Sequence, residues 1–124
     1  MDGSEVYNAI GESGFKKLVG AFYRQVKGDS LLEPLYPADD FEGAEQRLRD
    51  FLIFRFGGPQ YYIEQRGHPR LRMRHVRFPV GPAARDRWLL LMRNAMAECA
   101  FQPEVNDILD HYFEATANAM MNRE

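Results

Sequence analysis

Apolar residues recur every three or four positions in four separate stretches of the 124-residue chain. This spacing places side chains on one face of an α-helix, whereas a half-buried strand would alternate apolar and polar residues. No stretch of convincing length alternates in that way. The predicted inner faces comprise Phe15, Leu18, Val19, Phe22, Tyr23 and Val26; Phe41, Ala44, Leu48, Phe51, Leu52 and Arg55; Trp88, Met92, Ala95, Met96 and Cys99, with Leu89 close by; and Val105, Ile108, Leu109, Tyr112, Phe113, Thr116 and Met120. The pattern predicts an all-α fold.

Residues typical of helix ends bracket these four stretches. A side-chain oxygen can cap the first turn, proline is tolerated there, and glycine commonly follows the last turn. The predicted boundary residues are Ser13 and Gly28; Asp39 or Asp40 and Gly57-Gly58-Pro59; Gly81-Pro82; and Pro103. The stretch 29–40 holds two prolines and is predicted to be a turn or a short helical piece. Asp39 and Asp40 are interpreted as charges at a helix start, not as catalytic acids.

Composition restricts the class of protein. The length suits one domain over residues 1–124, and 16 Lys+Arg against 18 Asp+Glu lack the positive excess of a nucleic-acid binder. One cysteine, Cys99, permits neither an intramolecular disulfide nor a cysteine metal cage. No apolar run approaches a membrane span, and the first residues do not resemble a signal peptide. We therefore expect a soluble cytoplasmic protein.

The connection between the second and third predicted helices is long and strongly basic. Residues 57–81 carry five glycines and prolines before Leu71 and no long helical pattern. After Glu64 no acid appears until Asp86, yet the gap holds two histidines, His68 and His75, together with Arg66, Arg70, Arg72, Arg74 and Arg77. Long connections of this kind are often functional. Cations so close together repel one another unless something anionic lies among them.

Several chemistries lack a signal in the sequence. There is no P-loop, no dinucleotide fingerprint and no recognisable Ser-His-Asp arrangement. The histidines His68, His75 and His111 do not pair at the one-turn spacing of a helical zinc site. His111 falls on the polar side of the last predicted helix and is interpreted as a solvated residue.

Haem binding would account for a histidine, an arginine-rich surround and an excess of aromatic residues together. Haem needs a strong axial ligand, an apolar slot and cations for its two propionates. His75 could supply the ligand, and Arg74 with neighbouring arginines could receive the propionates through a planar fork. An arginine cluster is more often a solvated or anion-binding face, so a cofactor-free helical module that binds an acidic partner is the alternative.

Motifs along essentially the whole chain resemble those of the group II truncated haemoglobins. They are Phe22-Tyr23, Tyr36-Pro37-x-Asp39-Asp40, Ala44-Glu45-x-Arg47-Leu48, Gly57-Gly58-Pro59, the run Arg66-Gly67-His68-Pro69-Arg70-Leu71-Arg72-Met73-Arg74-His75, and Arg85-Asp86-x-Trp88-Leu89. The resemblance implies a shortened globin in which two helix pairs stack two-over-two around haem b (iron protoporphyrin IX). It also implies an extended loop before a short helix that carries the proximal histidine.

The same resemblance implies roles for individual residues. His75 would be the proximal iron ligand, and Tyr23, Tyr36 and Trp88 would donate hydrogen bonds on the distal side. Phenol and indole groups can donate into an apolar cavity. Ala44 stands where many globins place a distal histidine, and a methyl group cannot donate. The remaining predicted contacts are distal lining by Phe22, Ala44, Leu48 and Phe51, haem packing by Met73, Phe78 and Met92, and propionate binding by Arg47, Tyr62 and Arg74.

Two places depart from the family's pattern. The family usually carries a Gly-Gly pair before its first long helix, where this chain has Gly11-Glu12-Ser13-Gly14, and Arg55-Phe56 replaces an aromatic pair.

The resemblance predicts reversible binding of dioxygen and other diatomic ligands such as carbon monoxide and nitric oxide. The donor-rich distal side suggests tight retention and chemistry of oxygen or reactive oxygen and nitrogen species. Peroxidase or nitric-oxide dioxygenase activity and a reductase partner are left open.

Overall fold

The computed structural model describes residues 1–36, 38–60 and 81–121. Within these ranges lie four α-helices: α1 (Val6–Val26), α2 (Phe41–Arg55), α3 (Pro82–Cys99) and α4 (Pro103–Met120). Two short 3-10 helices, Gly3–Glu5 and Glu33–Leu35, complete the regular structure of this part of the chain. The described residues contain no strand, and the all-α prediction is confirmed.

The helices form two pairs, as the two-over-two expectation requires. Helix α1 packs against α2, α3 packs against α4, and α1 also packs against α3 and so joins the pairs. The apolar faces meet in one cluster of buried side chains. All six predicted inner residues of α1 are buried: Phe15, Leu18, Val19, Phe22, Tyr23 and Val26. Burial of these stripes is the main term that holds the pairs together.

The start of α1 differs from the prediction. Helical structure begins at Val6, and Ser13 lies inside the helix instead of capping it. The interruption is at Gly11, whose φ of 68° and ψ of −179° break the helix into two pieces. Only glycine adopts such a backbone conformation readily, because a Cβ clashes there in other residues. Val6, which precedes the kink, is fully buried.

The inner face of α2 also needs one correction. Arg55 was assigned to the buried stripe, but it is exposed. Its guanidinium carbon lies 5.3 Å from the ring centre of Phe56 and 4.9 Å from that of Tyr112. A guanidinium keeps its charge in water while its flat face rests on aromatic rings, and this explains the position. Ile53, which the stripe omitted, is fully buried.

The other two helices begin where proline predicted them to begin. Pro82 and Pro103 occupy the first positions of α3 and α4. Proline suits this position because the first amide of a helix has no intrahelical acceptor. Among the described residues, no helix is long and apolar enough to cross a membrane.

Candidate functional site

The three predicted distal donors come from three different elements. Tyr23 lies on α1, Trp88 lies on α3, and Tyr36 follows the 3-10 helix Glu33–Leu35 between α1 and α2. Tyr23 is only 4% exposed, and the other two are partly buried against the core. Packing therefore brings together side chains that are far apart in the sequence.

The rings of these donors belong to one continuous aromatic cluster. The ring centres of Tyr23 and Tyr36 lie 5.4 Å apart with planes at 78°. Phe22 contacts Tyr23 at 5.2 Å and Trp88 at 5.4 Å. Edge-to-face contacts at these distances are favourable because the positive ring edge faces the negative ring face. The ring contacts link Tyr23 directly to Tyr36 and, through Phe22, to Trp88.

The hydroxyl groups in this cluster stay protonated. Burial, together with the neighbouring Tyr36, raises the pKa of the Tyr23 hydroxyl far above its usual value. Burial also raises the pKa of Tyr36 to about 12, against hydrogen bonds from Trp88 and Tyr23 that lower it. Both phenols are therefore neutral at ordinary pH, and a neutral phenol can donate a hydrogen bond.

The Tyr23 hydroxyl makes only a long hydrogen bond to the backbone. Its hydroxyl donates to the carbonyl oxygen of Ala44 at 3.4 Å, which is long for an O–H···O bond. Ala44 itself is buried, on the first turn of α2. The contact places the first turn of α2 next to Tyr23.

Four of the residues predicted to line or pack the site lie in or against the same hydrophobic core as the cluster. Phe22 and Met92 are fully buried, Phe51 is 6% exposed, and Leu48 packs against the core while partly exposed. Sequence reasoning missed the contribution of Phe41 to this site. Its ring centre lies 5.3 Å from that of Tyr23 and 6.1 Å from that of Tyr36. The only signal was its place at the start of the α2 stripe.

Arg47, one of the residues predicted to bind a haem propionate, pairs with an acidic side chain. The Nη1 atom of Arg47 donates to Asp40 Oδ2 at 2.9 Å, and 38% of the Arg47 side chain is exposed. Asp40 is the residue before α2, and its side chain makes no capping bond to the backbone. Exposed pairs of this kind contribute little to stability, so Arg47 can exchange its partner readily.

Five predicted site residues lie outside the described residues: Tyr62, Met73, Arg74, His75 and Phe78. In the parts of the chain that the structure describes, no group of three or more histidine, cysteine, aspartate or glutamate side chains could hold a metal ion. The described residues do fit the distal side of a haem. They offer neutral donors, aromatic rings packed around them and one basic group, Arg47, and such donors are what a small polarised ligand needs.

An ion pair that no local sequence pattern predicts joins Asp29 to Arg87, the residue before Trp88. Arg87 Nε lies 2.7 Å from Asp29 Oδ2, and only 4% of the Asp29 side chain is exposed. Burial raises the pKa of Asp29, but the bonds from Leu32, Arg87 and Leu31 outweigh it and hold the pKa below its usual value. The sequence held no signal for this pair, because its members are 58 positions apart.

Comparison with known proteins gives the family. The model of the family described as bacterial-like globin matches residues 5–122. A group 2 truncated hemoglobin of Bacillus subtilis is 39% identical over 94% of this chain and 88% of its own length.

Solved structures agree with the sequence matches. A hemoglobin from the thermophilic phototrophic bacterium Chloroflexus aurantiacus has a TM-score of 0.92 and 45% identity, covering 95% of this chain and 98% of that one. A truncated haemoglobin of Bacillus subtilis, described as oxygen-avid, has a TM-score of 0.89 and 38% identity over 94% and 98% of the two chains. The chain therefore belongs to the bacterial-like globins, among the group II truncated haemoglobins with two-over-two helices.

Proposed function

We propose that this globin binds haem b through His75 and reversibly binds dioxygen with tight retention. Carbon monoxide and nitric oxide would bind at the same site. The observation that supports the proposal is the group of three donors, Tyr23, Tyr36 and Trp88, within one aromatic cluster. Family membership implies haem binding, and the oxygen-avid relative from Bacillus subtilis agrees with the proposed retention.

Each part of the proposed site has a chemical task. His75 supplies the axial nitrogen on the proximal side. Arg47, Tyr62 and Arg74 bind the propionates, since guanidinium groups pair with carboxylates through a planar fork. The apolar packing around the macrocycle comes from Leu48, Phe51, Met73, Phe78 and Met92. Bound haem supplies the iron at which diatomic ligands bind reversibly.

The distal residues discriminate between ligands by charge. Dioxygen is strongly polarised when it binds, whereas carbon monoxide is much less so. The Tyr23 and Tyr36 hydroxyls and the Trp88 indole are neutral donors at buried or partly buried positions, where a hydrogen bond to a charged acceptor is stronger than in water. Ala44 donates nothing and its small side chain leaves room for ligand entry. The donors therefore favour dioxygen over carbon monoxide.

Tight retention suits reactive chemistry better than delivery of oxygen by diffusion. A protein that releases dioxygen slowly delivers little of it per unit time, but it keeps the ligand in place for reaction. We therefore propose a role in oxygen or reactive oxygen and nitrogen species chemistry in the cytoplasm. Turnover of peroxide or nitric oxide in such a role consumes electrons, which a reductase partner would supply.

An absorption spectrum tests haem binding directly. Spectra of the purified protein are recorded as isolated, after dithionite, and after dithionite with carbon monoxide. We expect a Soret band that shifts at each step, and slow dioxygen release when the reduced, oxygenated protein is mixed with carbon monoxide in stopped flow. A protein without a Soret band that fails to take up added haem would favour the cofactor-free module that binds an acidic partner.

A further inference from the structure

The donor Tyr36 lies in a segment with little regular structure of its own. Between α1 and α2 the described residues hold only the three-residue 3-10 helix Glu33–Leu35. Tyr36 is the residue after that helix, and its backbone is extended. A segment of this kind does not hold a side chain in place by itself. Something outside it must set the distance between Tyr36 and the Trp88 indole on α3.

Asp29 organises the beginning of this segment. Its Oδ1 atom accepts hydrogen bonds from the backbone N–H groups of Leu31 and Leu32, each at 3.0 Å. Its carbonyl oxygen accepts from the N–H of Glu33 at 3.0 Å, in the turn that precedes the 3-10 helix bonds. Leu32 is 1% exposed and anchors the turn in the core. The Asp29 carboxylate is thus the capping group of the segment that ends at Tyr36.

The second oxygen of the same carboxylate reaches α3. Asp29 Oδ2 accepts from Arg87 Nε at 2.7 Å, and Arg87 directly precedes Trp88. The carboxylate is almost fully buried, while 45% of the Arg87 side chain is exposed. Because the Asp29 carboxylate is shielded from water, losing its cation is unfavourable, and the pair therefore resists separation of the two elements.

We propose that the Asp29–Arg87 ion pair is a positioning device that holds Tyr36 and Trp88 in contact across the distal site. One carboxylate caps the Tyr36 segment with Oδ1 and binds the Trp88 helix with Oδ2. The effect on ligand release rests on the proposed haem function, but the effect on the Trp88 environment does not. Arg87 and Asp29 are positioning residues, since the proposed donors to the ligand are Tyr23, Tyr36 and Trp88 and the ion pair acts through two of them.

The chain offers matched variants for a test. Arg87→Met removes the cation and keeps much of the side-chain volume. Asp29→Asn keeps an oxygen for Leu31 and Leu32 but puts an amide where Arg87 needs an acceptor. Arg93→Met is the control, because Arg93 lies on the same helix and its side chain is also 45% exposed. Its Nε atom lies 2.6 Å from Asp110 Oδ1 on α4, so this ion pair does not involve the Tyr36 segment.

The first readout is independent of haem. Trp88 is the only tryptophan, so a 1H–15N spectrum of the full chain contains one indole N–H signal. We expect Arg87→Met and Asp29→Asn to move this signal in the direction that Tyr36→Phe moves it, and Arg93→Met to leave it in place. An indole signal unchanged in both ion-pair variants, beside a clear shift in Tyr36→Phe, overturns the positioning role.

The second readout is ligand release from the haem-loaded protein. We expect either ion-pair variant to release dioxygen at least about fivefold faster and carbon monoxide less than about twofold faster, because a hydrogen bond to a polarised ligand weakens. In the Tyr36→Phe protein, a further Arg87→Met change should raise the rate of dioxygen release by less than about twofold, since the Tyr36 hydroxyl that Arg87 positions is absent. Full additivity would contradict the proposal. A native protein that takes up no haem would refute the proposed function, while the indole signal still tests the ion pair.

Discussion

At the scale of single residues, Trp88 combines a packing role with a polar one. Its ring lies 5.4 Å from Phe22 and 5.6 Å from Phe113, and its indole bonds to Tyr36. Trp88→Phe keeps most of the packing and removes the donor. A hydrogen bond to a charged group contributes about 1.5–3 kcal/mol, and 1.4 kcal/mol corresponds to tenfold. We therefore expect dioxygen release at least about tenfold faster.

Carbon monoxide separates the donor role of Trp88 from a steric one. Phenylalanine is smaller than tryptophan, and extra space would speed the release of both gases. The donor role predicts a larger change for dioxygen, measured by stopped flow on the same preparations. Tyr23→Phe and Tyr36→Phe are matched comparisons that remove only a hydroxyl. Equal acceleration of both gases in Trp88→Phe would mean that the indole acts as a gate.

Tyr36 predicts how stability changes in alkali. Burial raises its pKa from 10.0 to about 12, so the folded state favours the neutral phenol. The stabilisation from this shift is complete below pH 10 and is lost as the pH rises through 12. We expect this residue to lower the free energy of unfolding by about 1–2 kcal/mol over that interval, after allowance for its partial exposure.

Denaturant unfolding of the native protein and Tyr36→Phe at pH 9 and pH 12 measures the alkaline effect. The other tyrosines and lysines titrate in both proteins, so the difference between the two isolates Tyr36. Unfolding free energies that fall in parallel would contradict the raised pKa.

At the scale of elements, the turn after α2 depends on the close approach of two backbones. Gly57 has a φ of 94°, and a Cβ there would lie 2.1 Å from the carbonyl oxygen of Ser4. Gly28, after α1, has nearly the same φ of 95° but open space around it. Gly28→Ala should therefore cost about 1–2 kcal/mol from backbone strain alone. Gly57→Ala adds a steric clash and should cost about 3 kcal/mol or more.

Thermal and denaturant unfolding of the two glycine variants measure this difference. The pair is matched in backbone conformation and differs in what surrounds the added methyl group. Equal destabilisation would show that the N-terminal 3-10 helix Gly3–Glu5 does not hold its place against the turn.

At the scale of the whole molecule, haem binding through His75 should couple to global stability. A ligand present at a thousand times its dissociation constant stabilises the folded state by about 4 kcal/mol. For a chain of this length, that raises Tm by roughly 10 °C or more. We expect this difference between haem-loaded and haem-free native protein, and none for His75→Ala, which should purify with little haem.

The control for His75→Ala is His111→Ala. His111 is exposed on α4, so its loss should leave haem content and Tm unchanged. A His75→Ala protein with full haem content and an unchanged ferrous spectrum would refute the ligand assignment.

The sequence alone determined the helices and most of their buried faces. Apolar spacing and end residues are local signals, and they placed the starts of α3 and α4 at Pro82 and Pro103. Local signals failed where tertiary packing decides the outcome. Arg55 fits the α2 stripe, yet it lies in solvent over the rings of Phe56 and Tyr112. Ser13 looks like a cap, yet the burial of Val6 supports helical structure before the Gly11 kink.

The resemblance to the family predicted Tyr23, Tyr36 and Trp88 as distal donors, but only the tertiary structure shows that they lie in one cluster. The three belong to separate elements, and their distances depend on how α1 packs against α3. Tertiary structure also decided what contacts them: Phe41 packs against both tyrosines, and Arg87, the residue before Trp88, pairs with Asp29. Periodicity shows which face of an element is buried. Periodicity does not show which distant side chain packs against that face, because contacts between residues far apart in the sequence form only when the helices pack together.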